Sequence, residues 1–324
     1  MLTPTHDINQ STRQHRKTLM LWCAIIVCAL FTLTACETGA DAESNGKLNV
    51  VATTGQITDA LANIGGDSIN LTGLLGPGVD PHLYKPTESN VATFSSADLI
   101  VYNGLDLEAQ MYRVLEQMDD RGVSVLPIGD NLPDDELLNW DAQFPNDPHV
   151  WNDPLLWSHG IELMRDRLIE LDPENADAYR ANTESYLAEI EATHNEVMAL
   201  LDGIPADRRL LVTAHDAFGY FGRTYDLDVI GLQGISTESE ASAAEVKDLA
   251  DLIVARNIPA IFIESSVSPK TIEAVQAAVR AQDFDVQIGG SLYSDALGEE
   301  GSGADTYIGM ILSNAQTLAT ALGE

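Results

Sequence analysis

Cysteine is nearly absent from this 324-residue chain: Cys23, Cys28 and Cys36 are the three, and none follows residue 36. Past that point no disulfide can form within the chain, and no thiolate can ligate a metal. Positive charge is scarce as well, with 17 Lys and Arg against 50 Asp and Glu, and five lysines in all. A formal charge of −33 repels nucleic acid and leaves no polybasic patch for a membrane surface. So few lysines beside so many carboxylates fit a saline habitat, where screening weakens self-repulsion. Long apolar runs are missing too: from Leu48 onward each is only strand-long. What the chain does have is 45% hydrophobic residues and nothing suggestive of disorder or a fibre, so one large or two medium domains are expected.

The exception among the apolar runs lies at the start. Arg13, Arg16 and Lys17 precede an apolar stretch, Leu19 to Leu33, and Leu33-Thr34-Ala35-Cys36 follows directly. A charged n-region, an apolar h-region and a small-residue cleavage site form a signal-peptide pattern. The stretch is short for a bilayer span of about 20 residues, which argues against an uncut anchor. The tetrad resembles the lipobox of bacterial lipoproteins, implying that residues 1–35 are removed and Cys36 is acylated. Losing three basic residues and one aspartate takes the charge from −33 to −35. Residues 36–47 then read as a polar tether. The expected location is the cell envelope, lipid-anchored on the outer side of the cytoplasmic membrane, since several acyl chains hold where one does so only marginally.

From Leu48, short apolar runs alternate with amphipathic segments. Leu48–Ala52, Ile69–Leu75, Leu99–Tyr102 and Val123–Pro127 read as strands, and Gln56–Ile64, Asn90–Ala97 and Glu108–Met118 as helices. Residues 131–148 break the rhythm and read as a surface loop. Asp153-Pro154 is a helix start, opening a helix to Leu171. Asp172-Pro173 opens the longest periodic segment, about thirty residues, which would span about 45 Å as one helix. After Pro205 the alternation resumes, with strands at 210–214, 229–232, 260–264 and 285–288 and helices at 243–256, 269–281 and 306–322. The expected fold is α/β: two (β/α)4-type lobes with mostly parallel sheets, residues 48–171 and 205–324, joined by one long connecting helix, residues 172–204.

Three histidines occupy comparable places. His82 lies in the turn Val79-Asp80-Pro81-His82-Leu83-Tyr84-Lys85-Pro86, His149 follows Asp147-Pro148, and His215 follows the strand-like Leu211-Val212-Thr213-Ala214. Asp295 comes after Gly289-Gly290-Ser291-Leu292-Tyr293-Ser294. A lone loop histidine is more often solvated than a ligand, and His159 and His194, within helices, keep that reading. Ligands in open α/β sheets gather beyond the carboxyl ends of strands, where His82, His215 and Asp295 fall. Three imidazoles and one carboxylate suit a borderline divalent metal.

These motifs, with Gly234-Ile235-Ser236-Thr237-Glu238-Ser239-Glu240 and Ile263-Glu264-Ser265-Ser266, resemble in order those of the solute-binding lipoproteins of ABC importers for zinc and manganese. The resemblance covers Leu48 to the C-terminus. It implies that His82, His149, His215 and Asp295 are the metal ligands, that Zn2+ or Mn2+ is the transported ion, and that a permease and its ATPase are the partners of a monomeric binding protein. It also implies two lobes on one helical connector, and hence small closure, because a continuous helix hinges poorly. Histidine rather than glutamate at the third ligand position resembles the zinc members or those that take either metal. Residues 131–148 lack the long histidine-rich loop of many dedicated zinc binders.

Rival readings are a zinc-dependent enzyme and a surface adhesin lipoprotein. No His-Glu-x-x-His motif supplies a general base, and His194-Asn195-Glu196 lies on the helical segment, so an enzyme is not expected. Asp80, Asp216 and Glu264 are the candidate carboxylate partners for the ligand imidazoles. Trp151 and Tyr220 either wall the cleft or belong to the core.

Overall fold

In the computed structural model, which describes residues 46–141 and 144–323, strand β1 (Leu48–Ala52) is covered on both faces. Val50 and Ala52 enter a core layer with Ile57, Ile64, Ile161 and Ile190, while Val51 enters another with Phe94, Leu115 and Met118. A strand apolar on both faces needs helices on both, which is why the short runs here lack alternation. The expected signal segment 1–35, the acylation site Cys36 and the tether as far as Asn45 lie outside the described residues.

Strands β2 (Ile69–Gly73), β3 (Leu99–Tyr102) and β4 (Ser124–Pro127) complete a parallel sheet in the order β2-β1-β3-β4. Helices α1 (Gly55–Gly65), α2 (Glu88–Ser95) and α3 (Tyr112–Asp120) connect the strands. Helix α3 starts four residues later than the periodicity predicts, because Leu105 and Asp106 take positive φ angles of 51° and 63° and Glu108 turns inward. Glu108 accepts the Thr53 hydroxyl at 2.7 Å and the N–H groups of Asn103 at 2.8 Å and Gly104 at 3.1 Å. Its side chain thereby fills the point between β1 and β3 where the strand order reverses, the usual ligand crevice of such sheets.

Helix α4 (Pro154–Leu171) begins as its sequence dictates, with Asp153 accepting the N–H groups of Leu155 and Leu156. The long helix α5 (Ala176–Leu201) has 26 residues, about 39 Å at 1.5 Å per residue. It is shorter than the segment from Asp172 suggests. Pro173–Asn175 form a 3-10 turn, and Asp172 accepts hydrogen bonds from Asn175 Nδ2 and Tyr179 Oη, both at 2.7 Å. Tyr179, Tyr186, Ile190, Val197 and Leu201 bury one face of α5 against α1, α4 and the C-terminal helix α9 (Tyr307–Gly323).

Beyond α5, strand β5 (Leu210–Thr213) pairs with β6 (Asp228–Gly231) and β7 (Ala260–Glu264) with β8 (Gln287–Leu292), all parallel. The layering repeats. Leu211 and Phe262 face the core shared with α5 and α9, and Val212 and Ile261 face helices α7 (Ala243–Arg256) and α8 (Lys270–Arg280). A further helix, α6 (Gly219–Tyr225), escapes the periodicity because seven residues are too few to establish it. Strand β8 runs further than its apolar residues predict. It passes through Gly289 and Gly290, the latter at φ 146°, by a register shift, and so carries the chain to within three residues of Asp295. Among the described residues no helix is long and apolar enough to cross a membrane.

Candidate metal centre

Each predicted donor is delivered by a different segment of the chain, and the four meet. His82, His149, His215 and Asp295 are all buried, and one donor atom from each lies within 4.8 Å of the others. His82 Nε2 is 3.3 Å from His149 Nε2, and Asp295 Oδ1 is 3.5 Å from His149 Nε2 and 3.4 Å from His215 Nε2. His215 Nε2 and Asp295 Oδ1 are buried without a hydrogen-bond partner among the described residues. Buried polar atoms normally find partners. Three imidazole nitrogens and one carboxylate oxygen converging on one point have the chemistry to hold a divalent cation.

The local sequence explains how each side chain is aimed. Asp80-Pro81-His82 and Asp147-Pro148-His149 fold into the same turn, in which the aspartate Oδ1 accepts the histidine N–H two residues on, at 2.9 Å in both. Asp147 Oδ1 also lies 2.8 Å from His149 Nδ1, which turns Nε2 to the centre. His215 leaves the end of β5, its N–H donating to Glu264 Oε1 at 2.9 Å and its Nδ1 lying 2.6 Å from Glu264 Oε2. Glu264 is the last residue of β7, so two strand ends fix that imidazole. Ser266 Oγ donates to Asp295 Oδ2 at 3.0 Å, leaving Oδ1 turned to the histidines.

Of the expected carboxylate partners, Glu264 reaches the ring of His215, whereas Asp80 reaches only the backbone of His82. Among the described residues Asp216 makes no hydrogen bond through its side chain, and burial with Asp147 nearby pushes its carboxyl up to about 6. Asp147 was not singled out by sequence reasoning. The repeated Asp-Pro-His triplet was the available signal. Trp151 and Tyr220 are both fully buried and both serve the site. Trp151 packs edge-on to His149 at 5.4 Å and donates Nε1–H to Ser294 O at 2.9 Å, while Tyr220 Oη donates to Asp147 O at 2.9 Å.

The electrostatics of the imidazoles differ. Burial lowers the pKa of His82 to about 3, so that ring stays neutral. Burial opposes a charge on His215 also, but the carboxylates of Glu264 and Asp295 outweigh it and hold that imidazole well above its ordinary value. Asp295 is buried too, yet His215 and the other histidines keep its carboxyl far below the usual range. A metal ion held there would compete with a proton on His215, so affinity is expected to climb as pH rises through the raised value. Ordinary imidazoles, with pKa near 6.5, would release almost no proton on binding metal at pH 8. With His215 raised, this site is expected to release more protons there than ordinary imidazoles would, measurable by calorimetry in buffers of different ionisation enthalpy. No dependence of the heat on buffer at pH 8 would contradict it.

Close backbone approach supports the same corner. A Cβ on Gly231, at the end of β6, would run into the backbone nitrogen of Asp216 and the carbonyl carbon of His215. Gly231→Ala is expected to cost about 1–3 kcal/mol of stability. It should also weaken metal binding by moving His215, and a variant with unchanged melting and metal titration would show that β6 has room to shift.

Comparison with known proteins adds to this geometry. Residues 50–321 match the family described as zinc-uptake complex component A, periplasmic. The zinc-binding protein TroA of Treponema pallidum is 44% identical over 283 residues, 87% of this chain and 91% of that protein. The manganese-binding lipoprotein MntA of Bacillus subtilis is 40% identical over 300 residues, 92% of this chain and 98% of that protein. The solved structure of the Treponema pallidum periplasmic zinc-binding protein superposes with a TM-score of 0.83, covering 86% of this chain and 99% of that one.

Proposed function

This chain belongs to the family of periplasmic component A of zinc-uptake complexes, and from that membership we propose that it is the extracytoplasmic substrate-binding component of an ABC importer. It captures a divalent metal ion, Zn2+ or Mn2+, between His82, His149, His215 and Asp295 and delivers it to a membrane permease coupled to an ATPase. The observation that carries this reading is the convergence of four buried donor atoms from four distant segments to within 4.8 Å. The likeness to proteins named for zinc binding and for manganese binding supports the same class of cargo and gives no support to a zinc-dependent enzyme.

The donor set favours zinc. Ser266 engages Oδ2 of Asp295 and leaves Oδ1 as the oxygen nearest the histidines, and three nitrogens with one oxygen suit tetrahedral Zn2+ better than Mn2+, which prefers more oxygens. The lobes 48–171 and 205–324 hold the ion between them, and helix α5 within the connector 172–204 keeps closure small. A lipid on Cys36 anchors the monomeric protein to the outer side of the cytoplasmic membrane, and Cys36→Ser should release it from the membrane fraction.

Residues 37–324, purified, are expected to bind one divalent ion per chain. An ion at about 100 times its Kd adds about 2.7 kcal/mol and raises the melting temperature accordingly. The His82→Ala/His215→Ala double variant should lose that rise; if it keeps it, the ion binds elsewhere. Metal analysis of protein taken from its host without added metal then identifies the cargo, since zinc outcompetes manganese at most such sites whatever the physiological ion is.

A further inference from the structure

His149 and His215 have rings set by carboxylates, Asp147 and Glu264, at 2.8 and 2.6 Å. His82 is set through its backbone instead: its N–H donates to Asp80 Oδ1, and the Oδ2 of that carboxylate accepts the Thr237 hydroxyl at 2.6 Å. Thr237 stands 157 residues further along the chain, in the stretch between β6 and α7. The same stretch reaches across once more, where Gln110 Nε2 donates to Glu238 Oε1 at 2.8 Å. The turn bearing His82 joins β2 to α2 through fourteen residues without regular structure, 74–87, so its own backbone ladder does not fix it. Of the four donors, His82 is also the most exposed, at 3%.

Resting on the reading of these four residues as ligands, we propose that Asp80 and Thr237 form a latch that holds His82 in place, and that breaking this latch sets the rate at which the ion leaves. Asp80 and Thr237 are positioning residues, because neither offers an atom to the centre. When the Thr237 hydroxyl lets go, Asp80 can still accept the His82 N–H, but the turn that carries both loses its tie to the facing stretch. His82 can then withdraw while His149, His215 and Asp295, each held within its own segment or by a neighbouring strand end, stay where they are. The ion is left with three donors and an open side.

The test uses residues 37–324 loaded with Zn2+ and mixed rapidly with excess chelator. Thr237→Val keeps the shape and removes the hydroxyl. It is expected to speed zinc release by about ten- to a hundredfold, the range for losing a partner outside the ligand set, while the metal-free melting temperature and a stoichiometry of one zinc per chain stay as in the parent. Thr237→Ser should restore the slow rate, which a loss of packing alone would not. Thr237→Ala gives the same readout if valine disturbs folding. Release within about twofold of the parent in both hydroxyl-less variants, at unchanged stoichiometry, would overturn the latch. Absence of zinc binding by the parent chain would instead remove the ligand reading beneath it.

Discussion

Trp151→Ala should lower stability by about 3–5 kcal/mol, the range for deleting a fully buried large aromatic. For a chain of this size that is a fall in melting temperature of about 5–10 °C. The residue has no exposed surface, and it is held at both ends. Its indole N–H donates to Ser294 O at 2.9 Å, and its own carbonyl accepts the Tyr307 hydroxyl at 2.8 Å. Its ring also packs edge-on to His149, so the cavity opens directly beside the candidate metal centre. Ser294 precedes Asp295, so two of the four donors lose a neighbour in one substitution. Trp151→Phe should be milder, because most of the volume stays while Ser294 O loses its donor. Calorimetric melting of the metal-free chain measures both, and a loss of under 1 kcal/mol in the alanine variant would show that the core collapses onto the space.

Asp295→Asn keeps the size of the side chain and an acceptor for Ser266 but removes the charge. It is expected to weaken Zn2+ binding by more than about a hundredfold, beyond the usual cost of losing a partner outside the ligand set. A second consequence follows from the field at His215. Asp295 is one of the two carboxylates that lift that imidazole, so without it the raised pKa falls back towards the ordinary value. The sign is fixed: a lower His215 pKa means less proton competition at neutral pH, so the pH dependence of the remaining binding shifts to lower pH. Proton release at pH 8 should shrink in the same variant. Competition titration against a chelator across pH 6–9 measures both effects, and an affinity within tenfold of the parent would remove Asp295 from the ligand set.

Much of this was legible in the residues before any coordinates. Strands buried on both faces announce themselves as short apolar runs, and seven of the eight fall within about two residues of where such runs lie, while β8 extends four residues past its run. It does so because its last residues include two glycines and a serine, which carry no hydrophobic signal. Helix α6 was hidden for a different reason, its seven residues being too few to establish a helical period. The four candidate donors stood out because each follows a strand or a proline turn. Their partners were harder to see. Glu264 is named by its place at the end of a strand, but Asp147 acts through a turn whose meaning appears only on comparing it with Asp80-Pro81-His82. Thr237 lies within a motif that marks the resemblance, but the role proposed for it depends on a tertiary contact to Asp80 that no spacing encodes.

The wide separation of the donors bears on when metal can be acquired. Consecutive donors, His82, His149, His215 and Asp295, are never closer than the 66 residues between His149 and His215. A zinc finger gathers ligands a few positions apart and can begin to chelate before it is folded. Here an unfolded chain offers single imidazoles separated by long loops, and closing each loop costs entropy that one bond to metal recovers poorly. The centre comes into being only with the finished fold. With these four residues as the proposed ligands, a chain still being made or moved is expected to carry no ion with it, and the metal it first meets is the one present where folding ends.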